Sequence, residues 1–235
     1  MSESYDAANL EAMSVAEAYQ SAMLRLVRQK LNLSQPFQRV IDFGAGRGDY
    51  AAALTRVTGS EVLSFEPDTR LHAHYLPTLK VVADLTAIPA GYAEKAYSLN
   101  VLEHITDDVA ALRTWATRCQ AGAHIFLLVP ANPGLWTPMD TLVGHQRRYE
   151  PATLANAVRE AGLVVEEAGW FDRTGYFATR AYQVLSLIRT KETAGAVSKG
   201  QMRLFDALFS LSEPVFSGLR LPFGKNCWVL AKKPA

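Results

Sequence analysis

The run Ile41-Asp42-Phe43-Gly44-Ala45-Gly46-Arg47-Gly48-Asp49 restricts the fold more than any other part of the chain. It joins a short apolar segment, Arg39 to Phe43, to a helix-compatible stretch, Asp49 to Thr58. The glycines between them let the backbone turn sharply and approach a ligand with no Cβ in the way. A strand, a glycine turn and a helix in that order make the opening unit of a parallel α/β sheet. The alternation continues with apolar runs at Glu61 to Phe65, Lys80 to Ala83, Ala96 to Leu99 and His124 to Val129. Between them lie a short turn near Thr69 to Tyr75 and a helix over Asp107 to Arg118. A Pro/Gly-rich loop, Pro130 to Pro138, precedes a helix from Pro151 to Ala161 that Gly162 terminates. Leu163 to Trp170 and Asn226 to Ala231 read as further strands, and the spacing of apolar residues over Ser14 to Leu31 predicts an amphipathic helix before the first strand.

Length and composition fit one domain: 235 residues, 49% of them hydrophobic. The expected division is an N-terminal helical segment (1–35), an α/β core that carries the glycine loop (36–173), a helical insertion (174–225) and a last strand with its tail (226–235). Net charge is +1, so no global field draws the chain to nucleic acid, and no basic stripe with interleaved aromatics appears. The total conceals a split, however. Residues 1–174 hold 15 Lys+Arg against 20 Asp+Glu, and residues 175–235 hold 9 against 3. Cys119 and Cys227 have neither CxxC nor metal-ligand spacing, so neither a disulfide framework nor a metal site is expected. The first residues lack the basic and apolar regions of a signal peptide, and charged residues interrupt every long apolar stretch, which together point to a cytoplasmic protein.

The glycine spacing separates two ligand classes. A dinucleotide fingerprint needs G-x-G-x-x-G with a pyrophosphate at the helix N-terminus. Here the third glycine comes one residue early, and Asp42 precedes the first by two. A carboxylate there repels pyrophosphate and suits a ligand that carries an ammonium group. Glu66 ends the second strand, where an acid can accept hydrogen bonds from two ribose hydroxyls, and Asp84 ends the third, beside Leu85.

Taken together, Asp42-Phe43-Gly44-Ala45-Gly46-Arg47-Gly48, Phe65-Glu66-Pro67, Ala83-Asp84-Leu85 and Asn100-Val101-Leu102-Glu103-His104-Ile105 resemble the successive motifs of the class I S-adenosylmethionine-dependent methyltransferases. The resemblance covers residues 36 to 170. It implies a Rossmann-like, mostly parallel seven-stranded sheet with an antiparallel last strand, and S-adenosylmethionine as cofactor. It also implies that Asp42, Gly44, Ala45 and Gly46 flank the methionyl part, Glu66 and Pro67 the ribose, and Asp84 with Leu85 the adenine, with Asn100 near the methionyl end.

After the fifth strand, Asp140-Thr141-Leu142-Val143-Gly144-His145-Gln146-Arg147-Arg148-Tyr149 resembles a D-x(3)-G-H-x-R-R-Y element found in one subgroup of that family. His145 is the first candidate for a catalytic base and His104 the second. Arg147, Arg148 and Tyr149 are candidate acceptor-binding groups, since guanidinium suits phosphate or carboxylate. The structural alternative is an arginine that pairs with Asp140 to hold the loop, and for His104 a hydrogen bond at the helix start. The insertion carries two apolar helical patterns, Tyr176 to Ile188 and Leu204 to Phe216, around a small, polar stretch, Thr190 to Gly200. It reads as a hairpin packed over the sheet or buried in a homodimer, or as a lid or surface for peripheral membrane contact. The function expected is methyl transfer to a small or medium-sized organic acceptor, lipid-like or anionic forms included. Its rivals are a non-catalytic cofactor-binding or assembly subunit and an NAD(P)-dependent oxidoreductase.

Overall fold

In the computed structural model, residues 16–33, 38–188, 199–219 and 221–235 are described. Seven strands form one sheet: β1 (Arg39–Phe43), β2 (Glu61–Phe65), β3 (Lys80–Val82), β4 (Ala93–Leu99), β5 (Cys119–Pro130), β6 (Val164–Phe171) and β7 (Asn226–Lys232). Their order across the sheet is β3-β2-β1-β4-β5-β7-β6. β1 to β5 run parallel, and β7 lies antiparallel between β5 and β6. The fold is therefore the Rossmann-like α/β arrangement that the strand–helix alternation predicts. The order reverses between β1 and β4, so the carboxyl ends of these two strands bound the crevice in which a doubly wound sheet takes its ligand.

The sheet is covered on both faces, because successive side chains of a strand point to opposite sides. On one face Ile41 and Phe43 pack with α3 (Asp108–Arg118) and α5 (Pro151–Glu160), and the Phe43 and Trp115 rings stack at 4.8 Å. On the other, Val40, Tyr97, Phe126 and Trp228 pack against α1 (Glu17–Leu31) and α2 (Asp49–Thr58). A short helix absent from the sequence reading, α4 (Pro138–Leu142), fills the loop after β5. Thr137 and Asp140 form a capping box at its start, and Pro138 occupies the position where a missing N–H does no harm.

The insertion forms two helices, α6 (Arg173–Ile188) and α7 (Lys199–Ser217). The polar stretch expected between them lies, up to residue 198, outside the described residues, and Lys199 and Gly200 are helical. α7 buries Met202 and Phe209 against α1, and its Asp206 carboxylate accepts from the backbone N–H groups of Ala18 (3.0 Å) and Tyr19 (2.9 Å). One helix thus satisfies the orphan donors at the start of another. The packing expected of the second apolar pattern is only half realised. Leu204, Leu208, Leu211 and Val215 form a solvent-facing stripe, with Leu211 77% exposed. Among the described residues, no helix is long and apolar enough to cross a membrane.

Candidate cofactor and acceptor site

The glycine loop leaves β1 with Gly44 at φ +74°, Gly46 at +57° and Gly48 at +77°, left-handed values that glycine adopts without strain. A Cβ on Gly44 would lie 2.5 Å from the Val101 side chain, so the loop is pressed against the segment that follows β4. A Cβ on Gly46 would meet nothing within 4 Å: this residue faces open space at the strand ends. Glu66, at the end of β2, is buried and braces the loop: its two carboxylate oxygens accept from Gly46 N (2.8 Å) and Asp68 N (2.9 Å). A carboxylate has about four acceptor positions, so each oxygen keeps capacity for a ligand hydroxyl. Pro67 is exposed beside it. Asp84 is exposed and caps a 3-10 turn, Leu85–Ala87, by accepting from Thr86 N at 2.8 Å.

Asp42 points into the protein. It is buried, and Tyr97 Oη donates to its Oδ2 at 2.9 Å. Burial, with a smaller push from the Glu66 charge, raises its carboxyl to about 7 despite the tyrosine. Asn100 holds φ +55° just past β4, and its Oδ1 accepts from Asn226 Nδ2 at 3.1 Å. Asn226 Oδ1 in turn accepts from Tyr19 Oη at 3.4 Å, so a line of polar groups runs from α1 through β7 to the end of β4.

On the acceptor side, Asp140 is the hub. It accepts from Thr137 N (2.8 Å) and Oγ1 (2.9 Å), from Arg148 Nε (2.8 Å) and Nη2 (3.1 Å), and lies 2.8 Å from His145 Nδ1. Burial opposes ionisation of this carboxyl, but the bonds from His145 and Arg148 outweigh it and hold the group well below the usual carboxylate range. Being a carboxylate, Asp140 can only accept, so in the neutral ring the His145 proton sits on Nδ1 and Nε2 is the acceptor. That Nε2 faces Glu103, 3.8 Å from Oε1, and the His104 ring lies edge-on to the His145 ring at 4.8 Å. Glu103 is wholly buried, and burial raises its carboxyl to about 8. The remaining residues of the element are engaged by the protein. Arg148 Nη1 donates to Ala131 O (3.0 Å), Arg147 pairs with Asp108 (2.8 Å) and donates to Thr106 O (2.7 Å), and Tyr149 Oη donates to Asp108 (2.7 Å).

Residues 15–168 match the family described as a methyltransferase domain. The chain belongs to that methyltransferase family. Solved structures share the fold at low identity. An S-adenosylmethionine-dependent methyltransferase from Archaeoglobus fulgidus is 17% identical, with 91% of this chain and 94% of that one covered and a TM-score of 0.59. One from Mesorhizobium loti is 16% identical, with 89% and 96% covered and a TM-score of 0.60. A geranyl diphosphate methyltransferase in complex with S-adenosylmethionine is 14% identical, with 92% and 85% covered and a TM-score of 0.60. No curated protein matches the chain.

The cofactor of this methyltransferase is S-adenosylmethionine, and the residues present fit it. The open room over Gly46, the spare acceptor capacity of Glu66 and the left-handed turn at Asn100 all lie at the carboxyl ends of neighbouring strands, on either side of the switch point. Glu103, Asp108, Tyr19 and Asn226 were missed as site residues from sequence alone. Glu103 lies within the 100–105 motif, where nothing local marks it as buried. Tyr19 and Asn226 lie at opposite ends of the chain, and no local pattern links them.

Proposed function

We propose that this methyltransferase transfers a methyl group to a small or medium-sized organic acceptor, with His145 as the base that takes the acceptor's proton. Bound S-adenosylmethionine supplies a methyl carbon activated by its sulfonium. The chain has to hold the cofactor, align the nucleophile and take up a proton. In this reading Gly44, Ala45 and Gly46 line the methionyl part, Glu66 accepts from the ribose hydroxyls beside Pro67, Asp84 and Leu85 border the adenine, and Asn100 closes the methionyl end. Asp42 approaches the amino group from beneath the loop.

The observation that carries the catalytic part is the Asp140–His145 pair. In the neutral ring it fixes the tautomer with the proton on Nδ1, and Nε2 then faces Glu103, just past β4. Arg147, whose side chain is 32% exposed, meets an anionic group of the acceptor, while Arg148 and Tyr149 hold the loop. An apolar depression of about 600 Å³ beside α4, lined by Trp136, Thr137, Pro138, Thr141 and Leu142, supports an acceptor with an apolar portion. The exposed stripe of α7 supports one that is lipid-like.

Calorimetric titration with S-adenosylhomocysteine and with NADH tests the cofactor half, and only the first should bind. Glu66→Ala should weaken that binding about a hundredfold, since hydrogen bonds to a charged group contribute roughly 1.5 to 3 kcal/mol each. Unchanged affinity would remove Glu66 from the ribose site. Binding without turnover across acceptors of varied chemistry would favour a non-catalytic subunit.

A further inference from the structure

Glu103 is wholly buried, and neither of its carboxylate oxygens has a hydrogen-bond partner among the described residues. A buried carboxyl group with no partner is unfavourable even when protonated, and in its charged form such a group is found paired or bound to a metal ion. What faces it is imidazole. One ligand atom from each of Glu103, His104 and His145 can be chosen so that all three lie within 4.8 Å of one another. His145 already has the arrangement that metal-bound histidines adopt: Nδ1–H donates to a carboxylate, here Asp140, which fixes the ring and leaves Nε2 to coordinate. His104 adds a second imidazole from the exposed rim of the cluster.

We propose that Glu103, His104 and His145 bind one divalent first-row metal ion of the zinc type. Two imidazole nitrogens and one carboxylate oxygen make a three-ligand set of the kind that leaves a coordination position open to an outside heteroatom. Bonds of about 2.0 to 2.1 Å bring zinc ligands to within roughly 3.4 Å of each other, so the 3.8 Å between His145 Nε2 and Glu103 Oε1 and the spread of up to 4.8 Å across the three ligand atoms must shorten on binding. An ion bound there would take His145 Nε2 as a ligand, so that His145 would no longer serve as the base; the ion would instead lower the proton affinity of a coordinated acceptor, whose proton would pass to solvent. The proposal concerns the same site as the methyl-transfer reading, but it stands on ligand geometry and is tested by binding.

The full-length protein, stripped with EDTA and dialysed, should take up one equivalent of Zn²⁺ in calorimetry, and with Co²⁺ it should develop visible absorption bands. His104→Gln and His145→Gln should each weaken Zn²⁺ binding at least a hundredfold, Glu103→Gln likewise, and Asp140→Asn by 10- to 100-fold. Affinity for S-adenosylhomocysteine within a few-fold of wild type shows that a variant is folded. If Glu103→Gln fails that control, the exposed His104 decides the matter. No stoichiometric Zn²⁺ binding by the wild type overturns the site, as does binding that survives His104→Gln and His145→Gln but is lost in a His72→Gln/His74→Gln double variant. Failure of S-adenosylhomocysteine to bind the wild type would sink the methyl-transfer reading and leave the metal result standing.

Discussion

At the residue scale, burial pushes the Asp42, Glu103 and Asp140 carboxyls upward, and only at Asp140 do the bonds from His145 and Arg148 reverse the outcome. The Asp140 carboxyl is held well below its ordinary range, so its contribution to stability is present above that range and is lost as pH falls through it. Asp42 and Glu103 behave the other way. Their carboxyls are raised to about 7 and about 8, so the folded state keeps protons that the unfolded chain releases near its ordinary value of about 4. Their contribution is complete below about 4 and disappears as pH rises to 8. Melting temperature measured from pH 4 to 8 should accordingly fall less steeply in Asp42→Asn than in the wild type, and equal slopes would show that Asp42 is not titrating in this window. Kinetics addresses His145 separately. Once an acceptor is known, His145→Ala should lower kcat at least a hundredfold with cofactor affinity nearly intact. Asp140→Asn should lower it too, because the amide can present its N–H to Nδ1 and favour the wrong tautomer. Retained activity in both would return the pair to a structural role. The three strand-end acids could be found from sequence because each follows a short apolar run. Glu103 has no role legible in the sequence, since what lies against it, His145 and Gln146, comes from a loop about 40 residues further along the chain.

The same division holds at the scale of elements. Strands and helices with a strong period of their own were legible: α2 lies over the residues its pattern predicts, and α3 begins where Asp107 caps it by accepting from Ala110 N at 2.9 Å. β5 runs longer than its apolar run, from Cys119, where it pairs with Ala93 of β4. α4 was not legible, being a single turn whose hydrogen bonds depend on Asp140. The relation of α7 to α1 was hidden for another reason: Asp206 caps a helix nearly the whole chain away. A side-chain cap contributes about 0.5 to 2 kcal/mol, so Asp206→Ala should lower the unfolding free energy by an amount in that range. Hydrogen exchange should speed up at the first turn of α1 in that variant. Faster exchange confined to α7 would mean that the two helices are not coupled through this contact.

At the scale of the whole molecule, β7 matters beyond its size. It is buried over six of its seven residues and supplies the hydrogen bonds that join β6 to the rest of the sheet. A variant ending at Lys225 should therefore lose cooperative unfolding and aggregate, whereas loss of the residues after Lys233 alone should leave the melting transition nearly unchanged, since Lys233 is the last to bond β5. On a ribosome this order of strands imposes a wait. β5 and β6 leave the exit tunnel with a gap one strand wide between them, and residues 172–225 must be synthesised before the piece that fills it appears. Throughout that interval the apolar edge of β5 is an open template for any neighbouring extended chain, the kind of exposed edge that invites aggregation. The nascent polypeptide is then most exposed to mispairing just before its final strand arrives, and this is the stage at which a chaperone that shields bare strand edges would act.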